Sequence, residues 1–161
     1  MNIFPFTKEI AIDLGTANTI IITDDKIAVE EPSVVAIRKS DDRMMAVGRK
    51  ASAMIGHGED RIHTVRPLKK GVIADYKACE MMIRGLIDLT PQRRHLFRPS
   101  VKMVVCVPSG ATDAEMRIIN DSCVHKTENY EFWGLNVYDC QKKYKFAYAI
   151  MKKRKKENDA E

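Results

Sequence analysis

Apolar residues follow two rhythms along this chain. Over the first half they come in short dense runs broken by polar turns. Ile10-Ala-Ile-Asp-Leu14 is such a run, ended by Gly15, and Thr19-Ile-Ile-Ile-Thr23 is β-branched throughout; both predict strands. Asp24-Asp-Lys26 is a turn and Ile27-Ala-Val29 opens a third strand, so the three form an antiparallel meander. Pro32 interrupts. Ser33–Arg38 and Met44–Val47 predict further strands across a polar turn, and Lys50–Ile55 reads as a short helix stopped by Gly56 and Gly58. Arg66-Pro67 through Gly71 is a loop before the short apolar run Val72-Ile-Ala74.

From Asp75 the rhythm becomes helical. Asp75 is placed to cap, and Cys79, Met82, Ile83 and Leu86 fall at i, i+3, i+4 and i+7 before Pro91 ends the element. Val101–Val107 is almost continuously apolar, which predicts a strand buried on both faces. After the turn Pro108-Ser-Gly110, Thr112 and Glu115 have capping-box spacing, and Met116, Ile119 and Cys123 share the face of a helix behind them. Strand, turn and capped helix make half of an α/β crossover unit, so the predicted class is α/β. A completing strand is expected around Trp133, Val137 and Tyr138. Tyr144–Lys156 reads as a basic helix with Tyr144, Ala147, Tyr148 and Met151 on one face.

Composition narrows the function classes. The 161 residues suffice for one domain with a real core. No run approaches the ~18–20 apolar residues of a membrane span. The opening MNIFPFTKEI has no basic region followed by an apolar stretch, so no secretory leader is expected. Most of the net charge of +5 sits in residues 126–161, including Lys152-Lys-Arg-Lys-Lys156, which leaves the body nearly neutral and argues against a nucleic-acid partner. Cys79, Cys106, Cys123 and Cys140 include no C-x-x-C pair. The first three sit in apolar patterns and read as small buried hydrophobes, as suits a reducing cytoplasm. His57, His63, His95 and His125 have no ligand spacing and read as surface or loop residues. Ser109 lacks a G-x-S-x-G frame and reads as a turn residue. Arg93, Arg94 and Arg98 read as a solvated loop.

The candidate chemistry lies in Asp13-Leu-Gly-Thr-Ala-Asn-Thr19. A strand end, a tight turn and a strand start bring successive N–H groups at Thr16, Ala17 and Asn18 toward one point, an anion-binding nest. Gly15, without a side chain, permits positive φ and close approach of a ligand. The Thr16 and Thr19 hydroxyls and the Asn18 amide add donors. Asp13, ending the strand beside the loop, is placed to hold the water shell of Mg²⁺. The set suits the phosphates of a nucleotide; an ordinary hairpin turn is the plainer alternative.

The stretch Ile10–Thr19, IAIDLGTANT, resembles the first phosphate-binding loop of the actin, sugar-kinase and heat-shock-chaperone superfamily, and within it the MreB family of bacterial actins. Glu31-Pro-Ser-Val-Val-Ala-Ile37 resembles that family's E-P-S-V-V-A. Thr64–Asp75 resembles its I-R-P-L-x-D-G-V-I-A-D, and Val105–Gly110 its V-C-V-P-S-G. Glu115-Met-Arg117 and Asp121–His125 continue in register, so the resemblance covers residues 8–125. It implies the first half of an actin/ribonuclease-H-like ATPase fold. A mixed sheet carries the phosphate-loop hairpin (residues 1–32 plus 75–125), a small inserted subdomain spans 33–74, and residues 126–161 form a divergent, basic, aromatic-rich tail. It also implies ATP and Mg²⁺ as cofactors, with Gly15, Thr16, Ala17, Asn18 and Thr19 at the nucleotide and Asp13 at the metal. Further implications are slow ATP hydrolysis, homo-polymeric filaments, cell-wall elongation membrane proteins as partners, and a cytoplasmic location peripheral to the inner membrane.

The family's second loop, of D-x-G-G-G-T type, and its Gly-Gly segment beside adenosine have no counterpart, because no two glycines here are adjacent. Where an E-P-M-A-A-A segment with the catalytic glutamate is due, the chain reads Lys126-Thr-Glu-Asn-Tyr-Glu-Phe-Trp133, so no catalytic residue is carried over. The expectation is therefore a truncated member with weak or absent nucleotide binding that does not hydrolyse ATP alone. A non-enzymatic filament- or partner-binding module is the alternative, as is the remnant of a gene whose reading frame shifted near residue 126. A chaperone or sugar kinase of the same superfamily is disfavoured by Asn18 after Ala17 and by the lack of chain for a substrate domain. Ile3, Phe4 and Phe6 pack on the domain or dip into a membrane interface, the former being favoured because Pro5 disrupts a helix there.

Overall fold

The structure, a computed structural model, describes residues 7–23, 26–57, 60–91, 100–107, 111–124 and 130–136. In chain order the elements are β1 (Thr7–Leu14), β2 (Asn18–Thr23), β3 (Lys26–Pro32), β4 (Val35–Arg38), β5 (Met44–Val47) and α1 (Arg49–Ser52). There follow β6 (Ile62–Val65), β7 (Leu68–Lys69), β8 (Val72–Ile73), α2 (Tyr76–Asp88), β9 (Ser100–Val107), α3 (Asp113–Val124) and β10 (Tyr130–Asn136).

Five strands form the main sheet in the order β10-β9-β1-β2-β3. The meander β1-β2-β3 is antiparallel, whereas β9 lies parallel to β1 and β10 parallel to β9. The sheet is therefore mixed, as the α/β pattern implies, with β1 at its centre. Alternation along each strand sends side chains to opposite faces. Ile10, Ile12, Leu14, Ile21, Val29, Met103 and Val105 join one core with Cys79, Met82, Ile83 and Leu86 of α2 and Ile119 and Cys123 of α3. Ala11, Ile20 and Ile22 form a second cluster. Met103 through Val107 are all buried, which is why this strand reads as continuous hydrophobicity. Each fully buried side chain such as Ile12, Ile21, Met82 or Leu86 stabilises the fold by roughly 1.5–3 kcal/mol.

Both predicted caps are present. Asp75 is extended, with φ −138°, and its carboxylate accepts the Ala78 N–H at 2.9 Å. The Thr112 N–H donates to Glu115 Oε2 at 2.8 Å while the Glu115 N–H donates to Thr112 Oγ1 at 3.3 Å, a reciprocal capping box. Helix α2 stops at Asp88, before Pro91, where the Thr90 hydroxyl takes the Ile87 carbonyl at 2.7 Å.

A separate antiparallel sheet, β5-β4-β6, rises from residues 35–65. Strand β6 has no counterpart in the sequence reading, because Ile62-His-Thr-Val65 has little apolar density and takes strand form through pairing with β4. Helix α1 is shorter than expected, and Glu31 holds its start: Oε2 accepts the Arg49 N–H at 2.6 Å and Oε1 the Arg49 guanidinium at 3.2 Å. Pro32 separates two strands as expected: it ends β3 at the sheet edge, where a missing N–H is tolerated, and β4 starts at Val35.

The completing strand is Tyr130–Asn136, starting earlier than the residues expected for it. Val137, Tyr138 and the expected basic helix lie outside the described residues, as do Phe4, Phe6, the Arg93–Arg98 loop, Ser109, Cys140, His95 and His125. Cys79, Cys106 and Cys123 are buried, and burial pushes the Cys79 and Cys123 thiols up to about 12, so both stay protonated at neutral pH. Among the described residues no helix is long and apolar enough to cross a membrane.

Candidate functional site

The connection between β1 and β2 is three residues long, Gly15-Thr16-Ala17, closed by the pair Leu14 and Thr19. Gly15 is buried, whereas Thr16, Ala17 and Asn18 are exposed. The exposed rim of the loop therefore coincides with the three residues whose N–H groups were expected to face an anion. Gly15 is not in the left-handed region; among the described residues the glycines at positive φ are Gly48, Gly56 and Gly71. The turn closes without that conformation, and Gly15 contributes only its lack of a side chain.

Ser33 supports the loop from beneath. It is fully buried, its hydroxyl donates to the Gly15 carbonyl at 2.6 Å, and its N–H donates to the Ala17 carbonyl at 2.8 Å. The Thr19 and Ser33 hydroxyl oxygens lie 2.9 Å apart. The single Ser33 proton is already given to Gly15, so Thr19 donates in that second bond. Thr19, fully buried, thus braces the loop from below and is not on its rim.

The second support comes from the hairpin of β7 and β8. The Gly71 N–H donates to Thr16 Oγ1 at 3.0 Å. As acceptor in that bond, the Thr16 hydroxyl keeps its own proton for a ligand. Two residues on, the Ile73 N–H donates to Glu115 Oε1 at 3.0 Å, so the same hairpin is tied to the start of α3. These backbone donors at Thr112 and Ile73 hold the Glu115 carboxyl below its ordinary value, against the opposing effect of burial. The sequence reading saw Glu115 only as half of a capping box.

Asp13 is 6% exposed at the end of β1, paired in register with Ile20 and Cys106. Period two places it on the face of Ala11, away from the helix-covered core of Ile12 and Leu14. One carboxylate at a strand end fits a cation held through water. Among the described residues no three His, Cys, Asp or Glu side chains converge as a direct metal site. Ser33 and Gly71 were not singled out from the sequence. The only signal was their place inside stretches resembling family patterns.

A profile of the MreB/Mbl protein family matches residues 7–129. The cell shape-determining protein MreB of Pasteurella multocida is 42% identical over 124 residues, covering 74% of this chain and 35% of that protein. The chain thus spans about a third of the length of the relatives it matches. MreB5 of Spiroplasma citri, solved bound to ADP, superposes with a TM-score of 0.66 at 24% identity over 83% of this chain and 39% of that one. A MamK double helical filament structure gives 0.59 at 16% identity over 80% and 40%. These two likenesses establish an actin-like fold, matching the mixed sheet described above. The loop, its supports and the profile match agree: this chain belongs to the MreB/Mbl family, whose members include cell shape-determining proteins.

Proposed function

We propose that this chain is the part of an MreB-type actin that grips the phosphates of an adenine nucleotide. The observation that carries the reading is the loop itself: Thr16, Ala17 and Asn18 are exposed on a turn fixed by Ser33 and Gly71. Gly15 gives close approach, Thr16 a free hydroxyl proton, Ala17 and Asn18 backbone donors, and Thr19 the brace beneath. Asp13 would hold the water shell of Mg²⁺. The ADP-bound state of the Spiroplasma protein supports the choice of ligand.

In this reading residues 1–32 and 75–125 form the large subdomain and 33–74 the inserted one, a division the separate sheet of β4, β5 and β6 supports; Tyr130–Asn136, from the stretch read as a tail, adds a strand to the large subdomain's sheet. No group in the described site positions a water for attack, so slow hydrolysis requires parts beyond these residues. Filament formation, partnership with cell-wall elongation proteins and a cytoplasmic site at the inner membrane belong to the same proposal. The MamK filament supports polymerisation. The same filament likeness is compatible with a second reading, a module that joins filaments or partners without turning over ATP.

Calorimetric titration of the full chain with Mg-ATP and Mg-ADP, together with a phosphate-release assay, tests the proposal. Weak saturable binding without turnover is expected. Absence of binding at millimolar nucleotide would leave only the module reading, and release of phosphate at a steady rate would remove it.

A further inference from the structure

The hairpin that leans on the phosphate-type loop has an unusual tip. Leu68 pairs with Ile73 and Lys69 with Val72, leaving Lys70 and Gly71 as a two-residue turn. Both have positive φ, 52° and 77°, as in a type I′ turn. Glycine adopts that backbone freely, and asparagine or aspartate are the usual residues at its first position. A lysine there is disfavoured, because its Cβ crowds the following carbonyl. A local conformational cost beside a candidate site points to something the side chain does.

The place of the turn says what that is. Its second residue, Gly71, donates its N–H to Thr16 Oγ1 at 3.0 Å, so Lys70 is fixed one residue from a contact with the loop rim. Lys70 is exposed, and among the described residues no carboxylate pairs with it. The donors of the loop itself are uncharged N–H and O–H groups, and Asp13 adds a negative charge. No residue from Asp13 to Thr19 is cationic, so a polyphosphate bound there needs a positive charge from another element to offset its terminal charge. The lysine ammonium, a point charge on a flexible four-carbon stem, can supply it from the hairpin.

We propose that Lys70 is a phosphate-contacting residue that favours a nucleoside triphosphate over the diphosphate. The inference rests on the nucleotide-binding reading of the loop. It adds a residue from a different element and a selectivity to that reading.

The test uses the full chain and measures Kd for Mg-ATP and Mg-ADP in the wild type, Lys70→Gly and Lys70→Arg. Lys70→Gly keeps the turn, since glycine suits positive φ, but removes the charge. Its affinity for Mg-ATP is expected to fall about fivefold, the scale of a partly solvated ion pair, with little change for Mg-ADP. Its urea midpoint should equal or exceed that of the wild type, which separates lost contact from lost fold. Lys70→Arg should keep the preference for ATP. An unchanged ratio of the two Kd values in Lys70→Gly, with the wild type still binding, overturns the role of Lys70 and leaves the loop reading intact. A wild type that binds neither nucleotide overturns both.

Discussion

The loop between β1 and β2 is held on two sides by unlike means. Beneath it, Ser33 is fully buried and places three hydrogen bonds among Gly15, Ala17 and Thr19. Beside it, the hairpin of β7 and β8 offers one bond, from the Gly71 N–H to an exposed threonine. Water can replace the second contact but cannot reach the first. The lower support belongs to the fold, and the lateral one is free to respond to what occupies the rim.

The largest effect expected from breaking this contrast is at Ser33. Ser33→Ala strands a buried carbonyl and a buried hydroxyl, and should cost roughly 2–3 kcal/mol in urea unfolding. A loss under about 0.5 kcal/mol would mean that the two supports are equivalent.

Glu115 comes next, because it anchors the far end of the hairpin with a charged acceptor. Glu115→Gln should cost about 1 kcal/mol near neutral pH. The sign of its pH dependence follows from its lowered value. Its folded pKa lies below the ordinary 4.5, so its stabilisation is complete above that pH and is lost as pH falls through the folded value. Acid titration of stability should therefore be steeper in the wild type than in Glu115→Gln below about pH 4.5. Parallel curves would show that the carboxylate carries no differential charge stabilisation.

Thr16→Val sharpens the contrast from the other side. It deletes the acceptor of an exposed N–H, which water then serves, so stability should change by no more than about 0.5 kcal/mol. Nucleotide affinity should fall all the same, because the only hydroxyl proton on the rim is gone. A stability loss as large as that of Ser33→Ala would make the lateral contact structural.

Legibility in the sequence followed burial. Strands β1, β2 and β9 are dense in apolar residues because both faces of the central sheet are covered, and the starts of α2 and α3 carry side chains that accept N–H bonds in any context. Strands β6 and β10 were hidden or misplaced because their neighbours, β4 and β9, decide their conformation. At the site, the exposed rim Thr16–Asn18 was legible from its spacing. Ser33 was not, since it read as the start of a strand, and its donation to the buried Gly15 carbonyl joins residues eighteen apart in the chain. Thr19 was grouped with the ligand donors, although its proton is spent on Ser33. Lys70 gave no signal at all, because backbone handedness has no signature in a lysine.

The parallel pairing of β1 with β9 sets a timetable. Ile12 sits beside Val105, so the central strand is flanked on both sides only when most of the chain has left the ribosome. Until then the meander β1-β2-β3 carries Ile10, Ile12 and Ile21 with only α2, one of the two helices that cover them, already made. Contacts so distant along the chain close slowly. The newborn polypeptide therefore passes through a sticky interval that chaperones must cover, and its yield in the cell depends on how fast synthesis reaches Val107.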